Sequence, residues 1–296
     1  MAAPRAAWSL TSHLLETQQP LYKSVTQHPF LLAGAEGRLD KETLSRWLAN
    51  DRLYIHSYIR AAGKLLATLD LPREVSGSQE AFETQLADWL IESLAAIRKE
   101  ERFFIDVADR YGLAIEIGIP LISTQDTTSK DGNGNGELPG LGMMRSVFAS
   151  VSTVPVTAPP DPDSARPAPA SITAIATTPP PPLPWLEGAL TFWGTERCYL
   201  DAWSWAKDKA RECSVPGGKD ADGGALRKEF IPNWSSPEFA QFVDRLGGLI
   251  DAAVGEVLEG CAEGEERERA REDILARVEG RWRTLLVAER AFWPEV

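Results

Sequence analysis

The sequence predicts an all-α helical bundle, and three observations carry that prediction. Apolar residues recur at spacings of three and four from about residue 8 to 122 and again from 186 to 293. Helix start and stop signals flank these stretches, and no convincing period-2 strand breaks them. A hydrophobic content of 43% with ten tryptophans, in 296 residues, is ample for a sizeable core.

Segment 6–27 reads as a helix interrupted near Pro20 and followed by His28, Pro29 and Phe30. Asp40 is a good N-cap for a long helix over about 41–69, with Glu42 favouring its dipole, and Asp70-Leu71-Pro72 stops it. A further helix is expected over about 78–112, broken once and closed by Gly112. After the central insertion, helical pattern returns over 186–213. A glycine-rich break follows at Pro216 to Gly224. Ser235 or Ser236 can then cap a helix that carries Pro237 in its first turn and runs to about 260. The last helix, 265–293, opens on the charged run Glu265 to Asp273, which reads as a solvated face.

Residues 123–184 are different material. Glycine and asparagine alternate from Asp131 to Gly136, and eleven of the chain's twenty-one prolines fall between Pro155 and Pro184. Such composition buries too little apolar surface to fold by itself, so a flexible, Pro-rich insertion in a single domain spanning 1–296 is expected. The run Leu141 to Val156 is the part expected to dock on the body.

The formal net charge of −12 leaves no basic stripe to neutralise phosphates, which argues against nucleic acid and against an anionic membrane surface. Three widely spaced cysteines (Cys198, Cys213, Cys261) suggest neither a disulfide framework nor a metal site. No apolar run in the first thirty residues is long enough for a signal peptide, and nothing approaches a membrane span. The expected setting is cytoplasmic.

The sharpest signal is three carboxylates placed where apolar residues belong. Asp51 falls in the stripe Leu44, Trp47, Asp51, Tyr54, Tyr58. Glu196 falls in Phe192, Glu196, Tyr199, Trp203. Glu289 falls among Trp282, Leu285, Leu286, Phe292 and Trp293. This spacing keeps each set on one helix face, and that face should meet the core. A carboxylate there is costly to desolvate unless it finds donors or stays protonated. A lone one is more often a hydrogen-bonded boundary residue than a catalyst, but three with aromatic neighbours point to a polar pocket inside the bundle. Trp203 and Trp205 read as packing, His28 as a structural bond at a helix end, His56 as exposed, and the Glu100-Glu101 pair as a solvated face.

These stretches resemble the TenA/THI-4 family, all-helical proteins with the heme-oxygenase-like fold. The resemblance is carried by His28 to Phe30, Trp47 to Tyr54, Gly194 to Asp201, Asn233 to Phe239, and Glu289 with Phe292 and Trp293. It covers roughly residues 10–120 and 186–293, and the long low-complexity insertion has a fungal look. It implies that Asp51 hydrogen-bonds an aminopyrimidine ring, that Tyr54 and Tyr199 line the same pocket, and that Glu289 acts in acid/base chemistry. Thr195 stands where the best-known members carry a nucleophilic cysteine. Trp234 replaces a substrate-flanking tyrosine, and the Glu100-Glu101 pair falls near where the resembled family places a polar pocket residue. The resemblance therefore implies the cysteine-less branch, in which a glutamate supplies the chemistry.

A protonated carboxyl at Asp51 would match both the ring nitrogen and the exocyclic amine of an aminopyrimidine. Tyr54, Tyr58, Tyr199 and Trp234 offer stacking faces. Glu196 and Glu289, with Tyr199, are the expected catalytic groups, and Asp51, Tyr54, Tyr58, Trp234 and Thr195 the expected substrate-binding ones. The expectation is a hydrolase salvaging aminopyrimidine and formylaminopyrimidine breakdown products of thiamin. It uses no cofactor and no metal and assembles as a homo-oligomer, a dimer or tetramer. The alternatives are a homologue that binds a small pyrimidine without catalysis and a hydrolase of another small amine or amide. The direction of the Glu196 side chain discriminates: into the pocket for an enzyme, away from it for a binder.

Overall fold

The structure, a computed structural model, describes residues 8–73, 80–116, 136–151, 181–213 and 219–296. Every regular element among them is helical, and none of these helices is long and apolar enough to cross a membrane. In chain order they are α1 (Leu10–Thr17), α2 (Gln19–Thr26), α3 (Pro29–Ala35), α4 (Lys41–Thr68), α5 (Phe82–Tyr111), α6 (Pro139–Ala149) and α7 (Leu186–Glu212). A π-helical turn (Leu226–Phe230) then leads into α8 (Ile231–Trp234), α9 (Pro237–Glu259) and α10 (Glu265–Phe292).

Local chemistry sets these boundaries. The Asp40 carboxylate accepts from the Thr43 N–H at 2.7 Å and starts α4, and the Ser236 hydroxyl does the same for Phe239 and α9. His28 caps α3, its Nδ1 accepting from the Phe30 N–H. At the end of α5, Gly112 takes φ 64°, and the Leu113 N–H returns to the Ala108 carbonyl at 2.9 Å. The expected break inside α5 does not occur: the helix runs unbroken from Phe82 to Tyr111. Residues 74–79, where the sequence places its start, lie outside the described residues.

Three of the long helices, α4, α7 and α10, bring their aromatic stripes together at the centre. Leu44, Trp47, Tyr54 and Tyr58 of α4, Phe192, Tyr199 and Trp203 of α7, and Trp282 and Phe292 of α10 are all buried. Indole N–H groups tie the periphery to this centre. Trp282 donates to the Leu14 carbonyl at 2.7 Å and Trp293 to that of Val25 at 3.0 Å, fixing α1 and α2 on the last helix and its C-terminal end.

Helix α6 lies within the stretch read as an insertion, and it packs on α4 and α10. Leu141, Met144 and Phe148 are buried, and Phe148 meets Tyr54 edge-on with ring centroids 5.1 Å apart. Asn50 of α4 receives the segment: its Oδ1 accepts from the Leu138 N–H at 2.8 Å, and its Nδ2 donates to the carbonyls of Gly136 and Arg46. The docking expected over 141–156 is thus made by α6. Residues 152–156 lie outside the described residues, as do 117–135 and 157–180.

Candidate active site

Two connected spaces open between α4, α5, α7 and the turn at α8. The inner one, about 20 Å³, is lined by Asp51, Tyr54 and Tyr58 from α4, Glu196 and Tyr199 from α7, and Trp234 from α8. Ile55, Ile97, Glu100 and Phe239 complete its wall. The outer one is a cleft of about 430 Å³ between α5, α8 and the start of α9. Ile97, Glu100, Glu196, Trp234 and Phe239 line both spaces, so these five side chains form the partition between chamber and cleft.

The floor of the chamber is Asp51, only 2% exposed, whose Oδ1 accepts from the Tyr199 hydroxyl at 2.6 Å. Burial holds the Asp51 carboxyl well above its ordinary value. The charges of Glu100 and Glu196 add to this, and the Tyr199 hydrogen bond opposes it. Around it the rings are fixed by mutual contact. Tyr54 stacks on Tyr199 at 6.2 Å, Tyr199 meets Trp234 edge-on at 5.9 Å, and Trp234 stacks on Trp203 at 4.7 Å. A flat polar ring entering this space would find aromatic walls and one carboxyl able to donate and accept.

The partition holds two more acids, both half-buried. Glu196 is pushed up to about 8, chiefly by burial and further by the charge of Glu100. The Tyr58 hydroxyl opposes that shift from nearby, without a hydrogen bond of good geometry. Glu100 is pushed up to about 7 by burial, against the pull of the Trp234 indole N–H, which donates to its Oε1 at 2.5 Å. Near neutral pH one of these two carboxyls can accept a proton and the other can give one.

Of the eight residues singled out in the sequence, the structure sets six on the chamber wall: Asp51, Tyr54, Tyr58, Glu196, Tyr199 and Trp234. Thr195 and Glu289 lie behind it. Thr195 is fully buried and donates to the Phe192 carbonyl of its own helix at 2.9 Å. Glu289 is fully buried, and among the described residues neither of its carboxyl oxygens has a hydrogen-bond partner. Burial, then the charges of Asp51 and Glu196, push it well above its ordinary value, so it sits in the core as a neutral acid. Cys198 is buried as well and does not line the chamber; burial raises its thiol far from the reactive range.

Sequence reasoning placed Glu100 and Glu101 on a solvated face, and the structure corrects this. Glu101 is 5% exposed and held by Arg52, His56 and Arg98, with His56 Nε2 at 2.9 Å. That ion cluster rotates Glu100, one position earlier, onto the partition. The available signal was phase: Ser93, Ile97, Glu100 and Phe104 share one face of α5, and the other three are buried. His56, read as exposed, is only partly so because it serves Glu101.

Residues 15–92 match the TENA/THI-4/PQQC family. The all-helical, heme-oxygenase-like fold is that of TenA proteins. A TenA homologue from P. horikoshii superimposes with a TM-score of 0.53 at 14% identity, covering 97% of this chain and 99% of its own. A TenA family transcription regulator from Silicibacter gives 0.54 at 12% identity, covering 96% and 94%. In sequence, the chain is 23% identical over 270 residues to a probable transcription factor of Fusarium pseudograminearum, a match covering 82% of this chain. It is 21% identical over 111 residues, 38% of this chain, to a probable bifunctional TENA-E protein of Glycine max. The chain spans 45% of the length of each of these two relatives.

Proposed function

We propose that this chain is a TenA-like hydrolase acting on aminopyrimidine and formylaminopyrimidine breakdown products of thiamin, without a cysteine nucleophile. The observation that carries the reading is Glu196, whose side chain reaches the wall shared by chamber and cleft, across from Asp51 and its Tyr199 partner. In this reading Asp51, kept protonated, pairs with the ring nitrogen and exocyclic amine, and Tyr54, Tyr199 and Trp234 hold the ring. Water forms a new C–O bond at the methylene as the C–N bond breaks. One of Glu100 and Glu196 takes the water's proton, and the other protonates the departing amine. Glu289, fully buried and off the chamber wall, takes no proton from substrate in this reading. The cytoplasmic, homo-oligomeric and fungal character expected from the sequence belongs to the same proposal.

A second reading, a pyrimidine binder without turnover, is favoured by Thr195, which stands where the best-known members of the resembled family carry a nucleophilic cysteine. The chamber, at about 20 Å³, has room for about one water and not for a six-membered ring. Turnover therefore requires the partition to part, with Trp234 moving off Glu100. Incubation of the purified protein with aminopyrimidine and formylaminopyrimidine, following the hydroxymethyl product, separates the two. Product formation that is lost in Glu196→Gln supports the hydrolase. Saturable binding without product leaves the binder. Neither binding nor product overturns both.

A further inference from the structure

A second cleft, of about 630 Å³, lies between the C-terminal half of α7 and the π-helical turn. In a chain of net charge −12 it gathers five cations, Lys207, Arg211, Lys219, Arg227 and Lys228, around one carboxylate, Asp220. Asp220 is already engaged, its Oδ1 accepting from Arg227 at 3.1 Å. Lys219 and Lys228 form no ion pair within 4 Å among the described residues. Lys207 spends one of its three N–H donors on the Ser235 carbonyl at 3.0 Å. Arg211 reaches only the exposed Asp208, at 3.3 Å. Like charges crowded in this way repel one another, and nothing in the fold requires Lys219 or Lys228 to be cationic.

The backbone makes room for this gathering. Gly223 and Gly224 have φ of 82° and 96°, conformations that side-chain-bearing residues rarely adopt. A Cβ on Gly224 would stand 3.1 Å from the Lys228 ammonium and 3.2 Å from the Asp220 carboxylate.

From this geometry we propose that the cleft binds a small molecule through a diphosphate group. Its volume falls in the range of small-molecule sites. With Arg227 and Arg211 answered by Asp220 and Asp208, three cations remain, Lys207, Lys219 and Lys228. A single phosphate, at about −1.5 to −2 charges near neutral pH, leaves the third unmatched, whereas two linked phosphoryl groups match all three. The inference is independent of the aminopyrimidine reading. The two sites nevertheless share a wall: Ile231 and Pro232 of α8 line this cleft, and Asn233 and Trp234 line the acidic one.

The test is calorimetric titration of the full chain with inorganic pyrophosphate, inorganic phosphate and ADP at constant ionic strength set with NaCl. Saturable, one-to-one binding of pyrophosphate or ADP is expected, with phosphate at least tenfold weaker. ADP tighter than pyrophosphate assigns the site to diphosphate esters, and the reverse assigns it to the free anion. The paired Lys219→Gln and Lys228→Gln variant should weaken binding at least tenfold, and Arg245→Gln, whose side chain pairs with Glu92, should not. Lys219 and Lys228 are exposed, so loss of fold does not confound the result. The proposal is overturned by an absence of saturable binding to either diphosphate, by phosphate binding as tightly as both, or by binding indifferent to the double variant.

Discussion

At the residue scale the site turns on acids whose protons are held by their surroundings. Asp51 offers its partners one hydrogen-bonded carboxyl, and Asp51→Asn substitutes an amide of the same shape that cannot exchange donor and acceptor. On the proposed reading, that variant should lose about 10–100-fold in aminopyrimidine affinity, the cost of leaving one buried polar group unsatisfied, measured by calorimetry. Glu196→Gln should lower turnover by about 10²–10⁴ with a smaller change in KM. Because Glu100 and Glu196 sit at about 7 and about 8, they act as a coupled pair. The rate should peak between those values, falling on the acid side as the base gains its proton and on the alkaline side as the acid loses its own. A rate flat from pH 6 to 9 would remove the pair from the mechanism. Much of this was legible in the sequence. A carboxylate interrupting an aromatic stripe announces itself, and two of the three, Asp51 and Glu196, reach the chamber together with four of the aromatic residues beside them. Glu289 was legible as buried but not as lying behind the wall, because periodicity fixes a helix face and not which side of a ring a carboxyl occupies. Glu100 escaped because its neighbour Glu101 shares the same chemistry, and only the tertiary partners Arg52 and His56 decide which of the two turns inward.

At the scale of elements, caps and close approaches decide the outcome. Asp40, Ser236 and Gly112 each ended a helix where their local chemistry dictated, which is why these boundaries were readable. Helix α6 was not readable as a helix, since its eleven residues sit between long stretches of unlike composition and owe their order to α4 and α10. Gly140 is where that debt is visible. A Cβ there would lie 2.3 Å from the Phe292 amide nitrogen, a backbone atom that cannot step aside. Gly140→Ala should therefore destabilise the fold by about 1–3 kcal/mol, read as a lowered thermal midpoint. Gly142→Ala, on the exposed face of the same helix with nothing within 4 Å, should instead stabilise it by about 0.5–1 kcal/mol. Equal effects at the two positions would contradict the packing of α6.

At the scale of the whole molecule, the buried acids set how stability depends on pH. Asp51, Glu100, Glu196 and Glu289 are all raised, so the folded state holds protons that the unfolded chain releases near the ordinary carboxylate values. The fold is then most favoured below those values as far as these groups are concerned. It loses stability as pH climbs from about 4.5 through about 8. This is the reverse of the usual salt-bridged carboxylate. The thermal midpoint should decline from pH 5 to 8, and Glu289→Gln, which keeps shape and removes the ionisable proton, should flatten that decline. A midpoint that rises over the same interval would show these acids to be ionised at home.

Helix α8 is four residues long, and its two halves face two different clefts. If a ligand in one cleft displaces this turn, the lining of the other cleft moves with it. Thermodynamic linkage then imposes a symmetry: the factor by which a diphosphate alters pyrimidine affinity must equal the factor by which the pyrimidine alters diphosphate affinity. On the two proposals together, a single turn of helix would make the level of a pyrimidine and the level of an anion report on each other.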